Sequence, residues 1–323
     1  MSIKRIVIGA VVVFVGLPVA AVLIIGVSLY TLMSFYAPNG TNGTIVSSGQ
    51  EREYLLHVPS SYDRAKPTPL VISLHAAALW PATQREASQW NKVADEHGFI
   101  VVYPSGTTLD GSATARLPFR VWHLRPEAQV MSNVRFISDL IDTLEAAYNI
   151  DPIRIYANGF SNGGAMAFAL SCRLSHRIAA IGTVSAAQDQ LPWSWCADSQ
   201  PVPLINFHGT ADLVPYNGGR VWASPRPFPS VSTWTENWAQ RNRCGSNPIE
   251  SVVAAGVTRL EYTNCAADAT VVLYTIRGGG HAWPGGKPMP EWIVGPTSSD
   301  IDASRQMWAF FREHPLARKW RGS

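Results

Sequence analysis

The chain has 323 residues, of which 46% are hydrophobic, 10% aromatic and 15% charged, a composition that excludes an intrinsically disordered polypeptide. Its formal charge is +3, and Lys4 and Arg5 supply most of that excess. The rest of the chain is nearly neutral and lacks the basic surface that nucleic-acid binding requires, so no nucleic acid is expected as a partner.

Residues 6–33 are almost wholly apolar and follow directly after Lys4 and Arg5. A membrane-spanning helix needs ~20 apolar residues, so residues 1–33 are predicted to form a signal anchor with its N-terminus in the cytoplasm. A cleaved signal peptide, whose apolar core is usually ~7–15 residues long, is the main alternative, and a buried core helix is the third. Both main alternatives predict an extracytoplasmic protein, either held at the membrane by the N-terminal helix or secreted after cleavage.

Residues 34–50 are rich in Gly, Asn, Ser and Thr, which predicts a flexible tether. Residues 51–323 are predicted to form one catalytic domain, because no repeat or long linker interrupts them. Short apolar runs alternate there with helical patterns, and such runs are typical of strands buried on both faces of a parallel sheet. This alternation predicts an α/β fold with a doubly wound, mostly parallel sheet. The predicted strands are 70–75, 99–103, 153–157, 178–184, 202–207 and 270–276, and the predicted helices are 84–97, 134–148 (capped by Ser132 or Asn133), 162–174, 231–242 and 302–313.

All four cysteines lie in the part of the chain that is expected to be exported. Their spacing does not match a C-x-x-C metal or redox site, and an even number in an oxidising compartment favours disulfides. Three pairings are possible, and four free thiols are the remaining alternative. The sequential pairing would close two loops of about 20 residues each, worth ~3 kcal/mol apiece. The residues are Cys172, Cys196, Cys244 and Cys265.

The sequence Gly159-Phe160-Ser161-Asn162-Gly163 has the G-x-S-x-G form of a nucleophile elbow and lies between a predicted strand and a predicted helix. The serine of such a turn has a strained backbone. Side chains two residues before or after it would collide with each other or with the neighbouring strand, which explains the two glycines. Ser161 is therefore the candidate nucleophile, and an incidental serine in a glycine-rich turn is the alternative.

A serine nucleophile needs a base and a carboxylate, and in this kind of fold they follow the serine in the order Asp, then His. Asp212 and His281 stand in that order, each just beyond a predicted strand. His281 is expected to act as general base and then as general acid, while Asp212 orients its ring. Asp189 and Asp198 are rival carboxylates, but neither follows a strand as cleanly, and His208 is expected to be structural.

The backbone N–H of Asn162, directly after the nucleophile, is expected to be one donor of an oxyanion hole. A second donor should come from the loop after strand 70–75, where Ala76 and Ala77 are the candidates. A backbone N–H needs no particular side chain, so alanines can serve there if the loop bends suitably.

Several tryptophans lie in predicted loops, where an aromatic ring can contact an acyl group or a polymer chain. Trp283, Trp122 and Trp80 are the substrate-binding candidates. Trp283, two residues after His281, is the best placed of them to form a wall of the cleft. The other loop tryptophans are Trp193, Trp195 and Trp292.

With these residues placed, the chain resembles the exported polyhydroxybutyrate depolymerase and feruloyl esterase group of α/β-hydrolases. The resemblance implies an α/β-hydrolase fold that hydrolyses carboxylic esters with Ser161, Asp212 and His281, without a metal or cofactor. An aliphatic polyester and a hydroxycinnamoyl ester are the two substrate classes it leaves open. It covers roughly residues 50–314 and rests on the stretches 90–104, 156–166, 208–216, 278–286 and 300–311.

Two stretches depart from that family's pattern. A glycine-rich H-G-G-G-G loop is usual after the early strand, whereas this chain has His75 followed by three alanines and Leu79. An Asp-Val-Gly-Phe stretch is replaced by Asn133-Val134-Arg135-Phe136. The altered loop motivates one further hypothesis, a membrane-tethered binding protein with a decayed site, although the complete Ser–Asp–His set argues against it. A serine peptidase of the same fold is the other alternative.

Overall fold

The structure is a computed structural model, which describes residues 41–111, 119–186, 191–220 and 227–316. The anchor predicted over 1–33 and the rival carboxylate Asp189 lie outside these ranges. Within them, no helix combines the length and the apolar character that crossing a bilayer requires.

Ten strands form one mixed sheet in the order β1-β2-β4-β3-β5-β6-β7-β10-β9-β8. The six central strands, from β4 to β10 in that order, are parallel, and antiparallel strands flank them at both edges. These six are the strands that the apolar runs predict, so the mostly parallel α/β sheet is confirmed. The strands are β1 (Gly43–Ser47), β2 (Gln50–His57), β3 (Thr68–Leu74), β4 (Ile100–Pro104), β5 (Ile150–Phe160), β6 (Ala180–Val184), β7 (Leu204–Gly209), β8 (Ile249–Ala254), β9 (Val257–Tyr262) and β10 (Val271–Ile276).

Helices cover both faces of this sheet, as a doubly wound fold requires. One face packs against α3, α4 and α5, and the other against α1, α2 and α7. Seven α-helices occur in the described residues, namely α1 (Pro81–Ser88), α2 (Trp90–His97), α3 (Glu127–Ala147), α4 (Asn162–Arg173), α5 (Val231–Arg241), α6 (Glu291–Val294) and α7 (Ala303–Glu313).

Two predicted helices differ from those observed. The pattern at 84–97 predicts one helix, but Gln89 adopts a left-handed conformation (φ 56°) that ends α1 and begins α2. Helix α3 starts at Glu127, ahead of the predicted cap at Ser132 or Asn133. It begins there because Pro126, with its fixed φ and no N–H, suits the residue before a helix.

The predicted tether is wrong for the described part of 34–50. Strand β1 pairs antiparallel with β2 from Gly43↔Tyr54 to Ser47↔Gln50, so this segment is an edge strand of the sheet. The β8–β9 hairpin at the other edge is also absent from the prediction. Edge strands face solvent and lack the continuous apolar run of a central strand, which is why composition alone misleads here.

The cysteines form the sequential disulfides Cys172–Cys196 and Cys244–Cys265. All four lie in described residues and none is free, which removes the alternative of four thiols. The first disulfide ties the end of α4, the helix that follows Ser161, to the loop after β6.

A buried arginine links three segments near the sheet edge. Arg52 is 2% exposed, donates through Nη2 to Ser105 O and to Asn133 Oδ1 at 3.1 Å each, and lies 4.0 Å above the ring centroid of Phe136. Burial, and then the charge of Arg120, lower the pKa of Arg52 to about 10. The position at which the resembled family has an acidic residue is therefore filled here by a neutral amide facing a buried cation.

We expect Asn133→Asp to stabilise the protein by about 1–2 kcal/mol at pH 7, because a charge-assisted hydrogen bond replaces a neutral one. Arg52 should depress the pKa of the new aspartate, so the added stability should vanish as the pH falls through that lowered pKa. Urea unfolding across pH measures this effect. The control Asn133→Leu keeps the volume but removes the acceptor and should destabilise, and a more stable Leu than Asp variant would contradict the account.

Candidate active site

Ser161 occupies a sharp turn between β5 and α4. Its φ of 51° and ψ of −115° lie outside the helical and strand regions, a conformation that costs a non-glycine residue about 1–3 kcal/mol. The turn is held because Ser161 N–H donates to Val184 O at 2.8 Å and Ser161 O accepts from Ala165 N at 3.1 Å. Its side chain is half-buried, which leaves it accessible at the carboxyl edge of the sheet.

The two glycines of the G-x-S-x-G sequence are required by close backbone contacts. A Cβ on Gly159 would overlap the backbone of Gly163, and a Cβ on Gly163 would overlap the carbonyl groups of Leu74 and His75 at the end of β3. Neither obstacle is a flexible side chain that can move aside. The steric explanation of the glycines is therefore confirmed by the structure.

Glycines also bring the loops after β7 and β10 together. A Cβ on Gly209 would overlap the backbone of Gly279, and Ala211 N donates to Gly279 O at 2.9 Å. Through this contact the structure joins two predicted residues, since His281 Nδ1 donates to Asp212 Oδ1 at 2.6 Å.

Asp212 accepts two hydrogen bonds through a single oxygen, Oδ1. Its side chain is fully buried, and Oδ1 also accepts from Val214 N at 2.7 Å. Burial raises its pKa, but the hydrogen bond from His281, followed by the proximity of the two imidazoles, outweighs that effect, and the pKa of Asp212 lies below its ordinary value. The carboxylate therefore stays ionised and holds the imidazole with Nδ1 protonated.

His281 lies beside the serine turn. Its ring centroid is 5.0 Å from that of Phe160, the residue before Ser161, and its backbone N–H donates to Val294 O at 2.5 Å. The Nε2 atom, opposite the bond to Asp212, has no hydrogen-bond partner among the described residues. A ring oriented in this way can accept a proton from a nearby hydroxyl.

The other candidates near this pair do not compete with it. His208 is 1% exposed, donates from Nε2 to Val214 O at 2.9 Å and lies 3.6 Å from Asp212 Oδ2. Burial lowers its pKa and keeps it neutral, consistent with a structural role. Asp198 is exposed on a different loop.

In the part of the chain that the structure describes, no cluster of His, Cys, Asp and Glu is arranged to hold a metal ion.

The expected oxyanion donors lie on either side of the turn. Asn162 is the first residue of α4, and Ala76 and Ala77 follow β3. The loop keeps a left-handed residue without glycine, since Ala78 has a φ of 62°, and Ala78 N donates to Arg120 O at 2.8 Å. The alanines therefore do not prevent the tight bend. In the described residues, the N–H groups of Asn162, Ala76 and Ala77 have no protein acceptor.

Two of the predicted substrate-binding tryptophans are packing residues. Trp283 is 1% exposed, donates from Nε1 to Ser304 Oγ at 3.0 Å and packs edge-on against Phe160. Trp122 is equally buried and donates from Nε1 to His75 O at 3.0 Å. The prediction that their rings line a cleft is corrected, because both faces are already covered by protein.

Trp80 keeps a partly accessible ring, with the guanidinium of Arg120 4.8 Å from its centroid. Trp292 is 69% exposed, the most accessible tryptophan of the loop set within the described residues. It lies on α6, whose last residue, Val294, accepts the backbone N–H of His281.

His75 has a role that the sequence does not reveal. It is fully buried, donates from Nδ1 to Ala76 O at 2.8 Å and accepts at Nε2 from Gly106 N at 2.9 Å. Burial, and to a smaller extent the charges of Arg120 and Arg52, lower its pKa to about 4. In the sequence, His75 is only a histidine directly after a central strand. That position does not distinguish a buried histidine that bridges two loops from an ordinary loop histidine.

The mixed sheet with its serine turn is α/β-hydrolase-like in fold. The solved structure titled "Acetyl xylan esterase from Aspergillus awamori" superposes with a TM-score of 0.56 over 85% of this chain and 97% of that one, at 14% identity, a likeness of fold. Residues 53–189 match the family described as "Esterase PHB depolymerase". This is the family that the sequence motifs resemble, and the matched stretch contains Ser161 but neither Asp212 nor His281.

Two similar curated proteins are named as esterases. "Feruloyl esterase B" of Piromyces equi is 32% identical over 243 residues, which is 73% of this chain and 44% of that protein. "Putative esterase NocK" of Nocardia uniformis subsp. tsuyamanensis is 28% identical over 278 residues, 80% of this chain and 79% of that one. The chain thus spans less than half the length of the first relative and most of the second.

Gly159→Ala is expected to destabilise the fold by about 3 kcal/mol or more, since the new Cβ meets backbone that cannot yield. Urea unfolding measures the loss. Gly245→Ala is the matched control, because a Cβ there makes only ordinary contacts from 3.5 Å outward. Equal stability of the two variants would contradict the steric account of the turn.

We also expect His75 to make stability acid-sensitive. Its pKa of about 4 in the folded state lies below the ordinary 6.5, so the unfolded chain takes up the proton first. The free energy of unfolding should fall by about 3 kcal/mol between pH 6.5 and 4 from this residue alone. His75→Asn, less stable at neutral pH, should flatten that slope in pH-dependent urea unfolding, and an unchanged slope would refute the assignment.

Proposed function

We propose that the chain is a serine hydrolase of carboxylic esters, with Ser161 as nucleophile, His281 as base and Asp212 as orienting acid. The observation that carries this proposal is the Asp212–His281 hydrogen bond of 2.6 Å, with the imidazole packed beside the residue that precedes the strained serine. The match of residues 53–189 to an esterase family supports ester hydrolysis over other reactions of the same site.

The reaction follows from these positions. Ser161 Oγ attacks the ester carbonyl carbon while its proton passes to His281 Nε2, and Asp212 stabilises the imidazolium. The oxyanion receives hydrogen bonds from Asn162 N–H and from the Ala76 or Ala77 N–H. His281 then gives its proton to the leaving alkoxide, forming the acyl-enzyme. A water molecule then attacks the acyl carbon while its proton passes to His281 Nε2. His281 returns that proton to Ser161 Oγ as the ester bond breaks, which releases the acid and restores Ser161.

An aliphatic polyester or its oligomers is the substrate class that the family description favours. A hydroxycinnamoyl ester is the second candidate, because the relative from Piromyces equi is named a feruloyl esterase. Trp80 and Trp292 are the accessible rings near the site that suit either acyl group. A panel of 3-hydroxybutyrate oligomers, methyl ferulate and p-nitrophenyl esters of increasing chain length separates these classes.

We further propose that the catalytic domain is extracytoplasmic, held by residues 1–33 or released by their cleavage. The uncharged apolar run after Lys4 and Arg5 supports export, and two disulfides support an oxidising compartment. Intact-mass measurement of the protein recovered from fractionated cells distinguishes the anchored chain from the cleaved one. Recovery of the reduced protein only from the cytosol would contradict export.

Fluorophosphonate labelling and ester hydrolysis test the catalytic assignment. Ser161→Ala should lose the label, and His281→Ala should lower kcat by about 10³-fold or more while the fold is retained. His208→Asn is the matched histidine control, since it replaces a buried ring outside the proton path and should retain turnover. A folded wild type that takes no label is a binding protein, and preferential cleavage of amides would identify a peptidase.

A further inference from the structure

The N–H groups that are to receive the oxyanion come from two separate segments, the start of α4 and the loop after β3. They stabilise charge only when each lies about 2.7–3.1 Å from the same oxygen. Something must therefore fix the spacing of the two segments. The loop has no glycine of its own, and its strained Ala78 needs support from outside.

The side chain of Asn162 reaches from α4 to a third segment. Its Oδ1 accepts from Trp122 N at 2.7 Å, and its Nδ2 donates to Trp122 O at 2.9 Å. The side-chain amide of Asn162 thus bonds both the backbone N–H and the C=O of Trp122, a two-point contact that fixes orientation as well as distance. Donation from the Asn162 backbone N–H to an oxyanion does not by itself require this side-chain contact.

Trp122 carries this connection to the loop after β3. Its indole Nε1 donates to His75 O at 3.0 Å, and its ring lies 5.3 Å from the imidazole of His75, centroid to centroid. His75 in turn donates from Nδ1 to Ala76 O and accepts from Gly106 N. The side chains and backbone thus form an unbroken series of hydrogen bonds from α4 to Ala76.

The neighbouring residue completes the support. Arg120 O accepts from Ala78 N at 2.8 Å, and Arg120 pairs with Leu79 in an isolated antiparallel bridge. The segment 120–122 therefore touches the loop at both ends and the nucleophile's helix through Asn162. Every donor and acceptor in this path is buried or half-buried, where hydrogen bonds are least exchanged with water.

We infer that the side chains of Asn162 and Trp122 are positioning residues for the oxyanion hole, setting the spacing between the Asn162 N–H and the loop after β3. Neither side chain touches the reacting atoms in this role. The inference rests on the proposed function, because it assigns a purpose to the loop only if an oxyanion forms there. It also accounts for the buried place of Trp122, which a substrate-binding role does not.

Trp122→Phe is the sharpest test, since it keeps an aromatic ring but removes the Nε1–H donor to His75 O. Its matched control is Trp238→Phe. Trp238 is also buried, and its Nε1 also donates to a backbone carbonyl, Val202 O, at 3.0 Å, but it lies on α5, which packs against β7 and β10. Asn162→Ala is the second variant, which leaves the backbone N–H in place and acts through a half-buried side chain if Trp122→Phe does not fold.

Kinetics with p-nitrophenyl butyrate and inhibition by an alkyl trifluoromethyl ketone, which forms a tetrahedral oxyanion on a serine, supply the readout. We expect kcat to fall about 10-fold in Trp122→Phe and about 10- to 100-fold in Asn162→Ala, less than the loss of a donor itself. KM should change little, and the ketone should bind weaker by the same factor that kcat/KM falls. Trp238→Phe should lose stability without either change.

The outcomes distinguish the positioning role from the proposed function. An active wild type in which Trp122→Phe and Asn162→Ala match Trp238→Phe in kcat and ketone affinity would overturn the positioning role alone. A rise in KM without a change in kcat or in ketone affinity would overturn it as well, since that pattern indicates a lost contact with the substrate. A folded wild type that neither hydrolyses the ester nor binds the ketone would overturn both this inference and the proposed function.

Discussion

The turn at Ser161 is the constraint on which the rest of the site depends. A chain that leaves β5 and enters α4 within one residue forces Ser161 into a left-handed φ and brings two backbone segments into contact at Gly159 and Gly163. The strain is maintained because the surrounding strands and the helix hold the turn from both sides. The same turn leaves the half-buried Ser161 at the carboxyl edge of the sheet, directly before the first N–H of α4.

Around this turn the site is assembled from loops that glycines allow to touch. Gly209 and Gly279 bring the Asp212 and His281 loops together, and the ionised Asp212 fixes the imidazole. On the opposite side, an alanine-rich loop takes its shape from hydrogen bonds to segment 120–122 and to His75. One side of the site is thus shaped by its own glycines and the other by its neighbours.

The sequence predicts the central features because they depend on local or periodic signals. The six parallel strands are continuous apolar runs, and the order of Ser161, Asp212 and His281 follows strand ends that those runs define. What it misses depends on tertiary contacts. The β1–β2 and β8–β9 pairs are edge strands without an apolar run, so nothing local separates them from loops.

Side-chain exposure shows the same limit. Trp283 and Trp292 both lie in loop sequence, yet one is buried against Phe160 and the other is open to solvent, a difference set by residues far along the chain. Likewise, the roles of His75 and of the Asn162 side chain come from segment 120–122, which no spacing rule connects to them.

Ser161 must become acylated during turnover if it is the nucleophile. Rapid acid quench of the protein with a slowly deacylated ester, followed by peptide mass spectrometry, tests it most directly. We expect one acyl group on the peptide that contains Ser161, absent in Ser161→Ala and accumulated in a burst before steady state. Steady turnover with no adduct at Ser161, or with the acyl group on another residue, would contradict it.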